Sequence, residues 1–360
     1  MHLAELLAYR PVPAAAVFLA LTRRCPLSCR HCSTMSTSIA EQQPAALLWR
    51  FVRSFTPSDH PRFLLLTGGE PLLRPRLVRT LAETARSAGT RSYLLTGGFF
   101  AREGATPARI RTALRSVDHV AVSIDVFHEA QVPRAQLFRV LSETLAAGQD
   151  ASIQACGTGP DDPYLAGLTR DVRREFGDRV PMLVTTVRPV GRARAWLPSE
   201  PERSAGPPRA EPCDLASWPV VGFDGTIAAC CNQDVLDHRP MPGHLRLGHI
   251  GGATWPEVRR GCETSPVLRG LRTRGPLRLA GTSGDYCAAC RSLSDRPDVL
   301  RRVAGDAARP AAALIEQQAV RLQLLAGPAD FARRHGDPTR ADLVLLGARE
   351  QAGGAVRCVR

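Results

Sequence analysis

The chain has 360 residues, 44% of them hydrophobic, and a formal net charge of +13; this size and composition favour a main globular domain with a smaller second one and exclude a largely disordered chain. The charge does not predict a nucleic-acid partner, because all 47 basic residues are arginine, only 5% of the chain is aromatic, and the two kinds of residue do not interleave. No window is long and apolar enough to cross a membrane, and the 11 cysteines occur in a long chain without a secretion signal, so we expect a cytoplasmic protein with reduced thiols.

From residue 13 onward, strand-like apolar runs alternate with helix-like stretches. After the first run, the starts of the others lie 27 to 32 residues apart, which is the length of a repeating strand–helix unit with a parallel sheet. Six such units predict an α/β fold, a partial (β/α)6 barrel of the TIM type, whose functional groups collect at the C-terminal ends of the strands. The predicted strands are Ala15–Leu21, Arg62–Thr67, Ser92–Thr96, His119–Ile124, Ala151–Cys156 and Met182–Val187. The predicted helices are Glu41–Phe55, Pro75–Ala88, Pro107–Leu114, Arg134–Ala147 and Leu165–Phe176.

Three cysteines follow the first predicted strand directly. Cys25, Cys29 and Cys32 are separated by three and then by two residues. Three thiolates in such a short stretch can ligate three corners of an iron–sulfur cluster and leave the fourth iron open for chemistry, whereas four-cysteine runs close the cluster for electron transfer. A zinc site would need a fourth ligand from elsewhere in the chain. The spacing therefore favours a cluster with one open position.

Paired glycines end the second predicted strand. Gly68 and Gly69 allow the backbone to approach a ligand closely. Glu70, which precedes Pro71, can accept a hydrogen bond from an ammonium group. We therefore expect this turn to bind part of a ligand next to the cysteine loop.

Polar side chains also end the fourth and fifth predicted strands. Ser123 and Asp125 alternate with apolar residues, which places them toward the barrel lumen. Cys156 occupies the same position on the next strand. We interpret Cys156 as a small packing residue; the alternative is a thiol that gives a hydrogen atom to a substrate radical. His128 and Glu129 are further candidates for a substrate contact.

A second set of cysteines follows a predicted proline-rich linker at Leu197–Pro212. Cys213 precedes a predicted hairpin with an Asp224-Gly225 turn, formed by Pro219–Phe223 and Thr226–Ala229. The other candidate ligands of this set are Cys230 and the later pair Cys287 and Cys290. The position of Cys230 relative to the turn favours it over Cys231. Cys262 is a reserve candidate. Four thiolates of this kind can hold an auxiliary cluster or a structural zinc ion.

The chain after Arg291 has no motif. We predict helices at Asp306–Ala326 and Thr339–Gln351 and an inert thiol at Cys358. The predicted domains are thus the barrel at 1–195, a cysteine-rich domain of hairpin and helix at 196–293, and a helical extension at 294–360.

The C-x3-C-x2-C spacing and the Gly-Gly-Glu-Pro turn resemble those of the radical S-adenosylmethionine (radical SAM) superfamily. His31 stands where the family usually has another aromatic residue, and Gly97 stands where relatives often have asparagine. The resemblance implies a [4Fe–4S] cluster that binds S-adenosylmethionine at its open iron and cleaves it reductively to a 5′-deoxyadenosyl radical. By this resemblance the cluster is bound by Cys25, Cys29 and Cys32. The methionine amino group of the cofactor is bound by the turn that contains Gly68, Gly69, Glu70 and Pro71. Its ribose is bound by Ser123 and Asp125, and its carboxylate by Arg188 or Arg192.

The second cysteine set resembles the twitch form of the SPASM domain, in which a hairpin cysteine and a distant C-x-x-C hold one auxiliary [4Fe–4S] cluster. The resemblance implies that Cys213, Cys230, Cys287 and Cys290 ligate this cluster. Four protein ligands leave no open iron, so the cluster would conduct electrons. A flavodoxin- or ferredoxin-type protein is the expected electron donor.

The expected substrate is a small sugar-, cyclitol- or nucleoside-like metabolite of specialised metabolism, which loses a hydrogen atom in a dehydrogenation, decarboxylation or epimerisation. The alternative is a maturase of a ribosomally made peptide or protein. Such maturases often carry a leader-binding winged-helix domain, and only 14 residues precede the first predicted strand. A third possibility is a cluster-bearing redox or regulatory module that does not cleave S-adenosylmethionine.

Overall fold

The structure is a computed structural model that describes residues 1–197, 211–282 and 285–348. Most of the predicted linker Leu197–Pro212, the end of the predicted helix Thr339–Gln351 and Cys358 lie outside the described residues.

Nine strands form one open sheet, in the spatial order β6-β5-β4-β3-β2-β1-β7-β8-β9. The first six pair in parallel, β7 adds in parallel to β1, and β7, β8 and β9 pair antiparallel. The strands are β1 (Ala16–Ala20), β2 (Phe63–Thr67), β3 (Arg91–Thr96), β4 (His119–Ser123), β5 (Asp150–Gly157), β6 (Met182–Thr186), β7 (Val220–Val221), β8 (Thr226–Ala228) and β9 (Arg246–His249). The predicted partial barrel is therefore confirmed.

Helices follow the barrel strands and continue through the C-terminal half. The first seven are α1 (Leu3–Ala8), α2 (Ala45–Val52), α3 (Pro75–Ser87), α4 (Ala108–Ser116), α5 (Val126–Glu129), α6 (Arg134–Ala146) and α7 (Pro163–Phe176). The others are α8 (Gln233–Asp237), α9 (Trp255–Thr264), α10 (Pro266–Arg274), α11 (Pro276–Ala280), α12 (Tyr286–Ser292), α13 (Pro297–Ala307), α14 (Pro310–Ala326) and α15 (Pro328–His335).

The barrel strands are buried on both faces, because each face packs against a different apolar layer. The outer core lies between the sheet and the helices and includes Leu64, Val122 and Ile153. The inner core fills the lumen and includes Phe63 and Trp218, together with residues of α1 and α15. Alternate residues of a strand point to opposite faces, so both layers form from the same strands.

The structure corrects the predictions for the second half of the chain. The predicted hairpin strands are shorter than expected, β9 was not predicted, and the hairpin continues the barrel sheet through β1 and β7. The predicted helix Asp306–Ala326 is two helices, because Pro310 has no amide hydrogen to donate and can only begin α14. The described part of Thr339–Gln351 is a 3₁₀-helix at Pro338–Leu345. No helix within the described ranges is long and apolar enough to cross a bilayer.

A buried ion cluster joins the C-terminal helices to the rest of the molecule. The Glu316 carboxylate on α14 accepts hydrogen bonds from Arg269 Nε at 2.9 Å and Arg272 Nε at 2.6 Å, both on α10. Arg272 is 3% exposed and also donates to two backbone carbonyls. The helical extension is thus attached through charges that have little access to water.

We expect Glu316→Ala to lower the free energy of unfolding by about 3–5 kcal/mol, because it leaves two guanidinium groups without their shared counter-charge. Glu83 is the matched control, since its ion pair with Arg79 is solvent-exposed, and Glu83→Ala should cost less than about 1 kcal/mol. Urea denaturation of both variants measures the difference. Equal losses would contradict the structural role given to the buried cluster.

Candidate functional site

A cavity of about 530 Å³ lies at the C-terminal ends of the barrel strands, a size that suits a small-molecule ligand. Its wall includes residues from the ends of β1, β2, β4, β5 and β6 and from the cysteine loop. Residues of the later hairpin region complete the opposite wall. The cavity therefore brings the two halves of the chain to one site.

The three cysteines after β1 all line this cavity. Each sulfur has a hydrogen-bonding group beside it. Leu27 N lies 3.4 Å from Cys25 Sγ, and Gln131 Nε2 lies 3.3 Å from Cys29 Sγ. The Thr34 hydroxyl lies 3.2 Å from Cys32 Sγ. Burial raises the pKa of Cys25 to about 12. For Cys32 burial acts in the same direction, but hydrogen bonds with Thr34 and Ser36 and the charge of Arg192 lower its pKa overall.

The glycine pair after β2 contacts the backbone that begins the cysteine loop. A Cβ atom on Gly68 would lie 2.4 Å from the carbonyl oxygen of Thr22, and one on Gly69 would lie 2.4 Å from that of Arg24. The amide of Gly69 donates to Thr22 O at 2.7 Å, and the amide of Glu70 donates to Arg24 O at 2.9 Å. Only glycine permits this approach, so the turn and the loop determine each other's path.

Glu70 is fully buried, and its carboxylate is bound by the protein itself. It accepts hydrogen bonds from the amides of Leu72 and Gly97 at 2.9 Å and from the hydroxyl of Thr96 at 3.0 Å. Burial raises its pKa to about 7 against these hydrogen bonds. Gly68, Gly69 and Gly97 line the cavity. Glu70 thus ties β2 to the end of β3, while Pro71 begins a short 3₁₀-helix.

Asp125 lies at the centre of a network that the sequence did not reveal. One carboxylate oxygen caps α5 by accepting hydrogen bonds from the amides of Phe127 and His128. The other oxygen accepts a hydrogen bond from His128 Nδ1 at 3.0 Å and lies 3.4 Å from His31 Nε2. Burial opposes protonation of both histidines, but the contacts with Asp125 raise the pKa of His31 to about 9 and of His128 to about 10. The His31 ring stacks on Phe127 at 4.6 Å. Asp125, His31 and Ser123 all line the cavity.

Cys156 faces the cavity from β5. Its sulfur lies 3.1 Å from the hydroxyl of Thr185, and it forms a group with His31 and Asp125 whose ligand atoms all lie within 4.8 Å of one another. The thiol therefore lies next to polar cavity groups, although its strand neighbours Ile153 and Ala155 belong to the outer core.

Arg192 braces the cysteine loop from the segment after β6. Its side chain donates to Cys29 O at 2.9 Å and to Ser36 O at 2.6 Å, and its amide donates to Cys32 O at 3.0 Å. Gly191 comes so close that a Cβ atom there would lie 2.4 Å from Cys32 O. Arg188 lies in the cavity wall. The Gly-Arg pair therefore shapes the loop, and Arg192 also lines the site.

The second cysteine set gathers beside the hairpin. Cys213, Cys230 and Cys290 belong to one apolar cluster, and Cys287 on α12 interacts electrostatically with Cys213 and Cys290. Burial, and then the neighbouring thiols, raise the pKa values of Cys213, Cys230 and Cys290. Thiols that oppose one another's ionisation in this way suit a cationic centre, which would bind them all as thiolates.

The adjacent cysteines at the end of the hairpin point to different sites. Cys230 belongs to the same apolar cluster as Cys213 and Cys290, whereas Cys231 lines the cavity and accepts a hydrogen bond from Arg10 at 3.0 Å. Cys262 is fully buried in the outer core and donates to Ser217 O at 3.2 Å. The geometry therefore groups Cys230 with the auxiliary set, and it places neither Cys231 nor Cys262 there.

Comparison with known proteins identifies the barrel. Residues 19–151 match the family model described as the Radical SAM superfamily. The PqqA peptide cyclase of Gluconobacter oxydans (strain 621H) is 30% identical over 196 residues, which cover 52% of this chain and 49% of that protein. The pre-heme d1 synthase of Dinoroseobacter shibae (strain DSM 16493 / NCIMB 14021 / DFL 12) is 38% identical over 121 residues, which cover 32% of this chain and 28% of that one. The matches thus span about half or less of these curated relatives.

Among solved structures, Streptococcus suis SuiB bound to S-adenosylmethionine aligns with a TM-score of 0.52 at 12% identity, over 75% of this chain and 74% of that one. At this identity the likeness shows the fold alone. It agrees with the open parallel sheet described above.

These comparisons correct the expected substrate. The expectation of a small sugar-, cyclitol- or nucleoside-like metabolite is wrong, because several of the curated relatives that match this chain are PqqA peptide cyclases. They favour the peptide alternative. The reason for the error is physical: the cofactor motifs are local in sequence, whereas the substrate end of the cavity is built from distant segments.

Two glycines with similar positive φ angles test the contact between the loop and the segment after β6. Gly191 (φ +57°) faces the loop carbonyls, whereas Gly281 (φ +61°) has open space around its Cα. Gly281→Ala should cost about 1–2 kcal/mol of stability from backbone strain alone. Gly191→Ala should cost more and should also reduce the iron bound by the cysteine loop. Urea denaturation and iron analysis measure both effects, and indistinguishable variants would contradict this contact.

Proposed function

We propose that the chain is an enzyme of the radical SAM superfamily that modifies a ribosomally made peptide or protein. The observation that carries the proposal is the match to PqqA peptide cyclases, one of which extends over 196 residues and so beyond the length of the family-model match. The superfamily uses a [4Fe–4S] cluster and S-adenosylmethionine.

We infer that Cys25, Cys29 and Cys32 hold this cluster. The fit rests on three sulfurs that line one cavity and on a loop whose backbone is held by Gly69 and Arg192. When bound, the cluster and S-adenosylmethionine supply a 5′-deoxyadenosyl radical that removes a hydrogen atom from the substrate. The protein's own contribution is to hold the cofactor and the substrate in the correct relative position and to exclude water and other hydrogen donors.

The polar end of the cavity suits the cofactor. Gly68 and Gly69 offer close backbone contact, and Ser123 and Asp125 offer oxygen acceptors at the end of β4. The carboxylate of Asp125 is already held by two histidines, so it adopts a fixed orientation before a ligand arrives. Arg188 and Arg192 are the candidate partners of the cofactor's carboxylate, and guanidinium groups bind carboxylates well.

The opposite end of the cavity suits a side chain of a peptide. Its wall comes from β1 and the hairpin region. It includes Cys231 and the polar residues Asn232 and Gln233, and its apolar residues are Phe18, Leu215, Val220, Phe223 and Leu236. With the cofactor bound at the polar end, an open apolar end would admit one side chain of a longer molecule. This division of the cavity supports a peptide substrate.

The auxiliary set supports a second cluster rather than zinc. A tetrahedral zinc ion with Zn–S bonds of about 2.3 Å holds its sulfurs about 3.8 Å apart. Across residues 1–197, 211–282 and 285–348, the group of three or more metal-ligand atoms within 4.8 Å of one another is that of His31, Asp125 and Cys156. No three of the sulfurs of Cys213, Cys230, Cys287 and Cys290 therefore lie within 4.8 Å of one another, which suits the corners of a larger cluster better than a zinc ion.

We propose a flavodoxin- or ferredoxin-type protein as electron donor. The formal charge of +13 favours association with an acidic partner. The same charge makes the association rate sensitive to salt.

The cluster assignment predicts about eight iron atoms per wild-type chain after anaerobic reconstitution, as two four-iron clusters require. The triple variant Cys25→Ala/Cys29→Ala/Cys32→Ala should hold about half as much iron and should not cleave S-adenosylmethionine in the presence of dithionite. Cys262→Ala is the control, because that thiol lies in the outer core; it should keep both properties. Cleavage by the triple variant would contradict the assignment.

The substrate class predicts a modified peptide. We expect a change of mass in one of the short peptides encoded beside the gene when it is co-produced with the wild-type chain, and no change with the triple cysteine variant. Fragmentation by mass spectrometry locates the altered residue. A peptide deuterated at that residue should also pass deuterium to 5′-deoxyadenosine. Deuterium transfer from a metabolite, with every encoded peptide unmodified, would overturn the proposal.

A further inference from the structure

His244 lies at the edge of the auxiliary cysteine set, on the segment between α8 and β9. Its Nε2 atom is 3.8 Å from Cys290 Sγ, within the range of a hydrogen bond to sulfur, and its Nδ1 atom is 3.3 Å from the hydroxyl of Ser294. The imidazole is half-buried next to an apolar cluster that includes Leu245 and Leu293. The ring is thus held at both nitrogens.

These contacts determine which nitrogen can donate toward the sulfur. The Ser294 hydroxyl can donate to Nδ1, which leaves the hydrogen of a neutral imidazole on Nε2, facing Cys290. A charged imidazole would carry a hydrogen on Nε2 as well. The sulfur of Cys290 as a cluster ligand carries no hydrogen and can only accept, so Nε2 is the donor of this contact.

We propose that His244 raises the reduction potential of the auxiliary cluster by donating a hydrogen bond to its ligand Cys290. The inference rests on the proposed auxiliary cluster. Reduction adds a negative charge that is shared by the cluster and its ligand sulfurs, and an N–H group aimed at one of those sulfurs stabilises the reduced state more than the oxidised state. Hydrogen bonds to sulfur are among the factors that set the potentials of such clusters.

The other donors of the set come from the backbone or from a hydroxyl with a second acceptor. The amide of Asn232 lies 3.4 Å from Cys230 Sγ. The hydroxyl of Tyr286 interacts with Cys213, but it also donates to the carbonyl of Glu211 at 2.8 Å. The N–H group of His244 belongs to a side chain, so a single substitution removes this donor without altering the backbone. His244 is therefore the position at which the potential can be tested.

The experiment uses the full chain in the Cys25→Ala/Cys29→Ala/Cys32→Ala background, so that only the auxiliary cluster contributes to the signal. The cluster is reconstituted anaerobically, and its midpoint potential is measured by redox titration followed by electron paramagnetic resonance. His244→Leu should shift the midpoint to a more negative value and so lower the ratio of reduced to oxidised cluster at a fixed potential; a tenfold fall would correspond to a shift of about 59 mV. His244→Gln, which keeps an N–H donor, should shift it less.

His249 provides the matched control. It is an exposed histidine of the same region, and its ring contacts Asp224 O at the hairpin turn. His249→Leu should leave the midpoint unchanged. An iron-loaded His244→Leu chain with the midpoint of its background would overturn the inference.

Two further outcomes separate this inference from the proposed cluster. If His244→Leu fails to hold iron, His244→Phe replaces it, because this change keeps a ring but removes the N–H donor; a negative shift supports the inference and an unchanged midpoint overturns it. A background chain that binds zinc or no iron would overturn the auxiliary cluster itself, which is a result distinct from an unchanged midpoint.

Discussion

The structure depends on one close contact between backbones, that of the cysteine loop with the two glycine-containing segments beside it. Gly68 and Gly69 lie against the carbonyls at the start of the loop, and Gly191 lies against those at its end. No residue with a Cβ atom fits at these positions without moving the loop. Three sulfurs can face one cavity because the loop is held from both sides by main chain, whose position varies less than that of long side chains.

Most polar groups of the site have protein partners before any ligand arrives, although His31 Nδ1 is buried and has no hydrogen-bond partner among the described residues. Glu70 joins the ends of β2 and β3, Asp125 holds two histidines, and Arg192 donates to two loop carbonyls. Each is buried or partly buried, and each would be costly to leave without partners. A site whose acids and bases are already engaged loses little free energy to reorganisation when it binds a cofactor.

The barrel could be predicted from the sequence because its signals are local. A buried strand such as β2 is a short apolar run with a glycine turn at its end, and its period and length alone indicate its place in a repeating unit. The three cysteines, Gly68 and Gly69 are likewise close in sequence, and the structure brings them together at one cavity. In the same way, the step from α13 to α14 at Pro310 had a visible signal, which the alanine-rich composition outweighed.

The remaining features join residues that are far apart in the chain, and no local pattern indicates such pairs. The hairpin reaches β1 across 200 residues of sequence. Arg10 meets Cys231, and His244 meets Cys290, through packing alone. The substrate end of the cavity is of this kind, which is why composition and motifs led to the cofactor and not to the substrate. One local signal was overlooked, since the Asp125-x-x-His128 spacing is that of a helix cap whose side chain can also reach a histidine.

The neighbouring thiols Cys230 and Cys231 have a geometric consequence. They are joined by one peptide bond, yet one belongs to the apolar cysteine cluster and the other to the cavity wall. The planar peptide bond fixes the separation of their two Cα atoms at about 3.8 Å. The cysteine cluster and the cavity wall therefore meet at this one step of the chain.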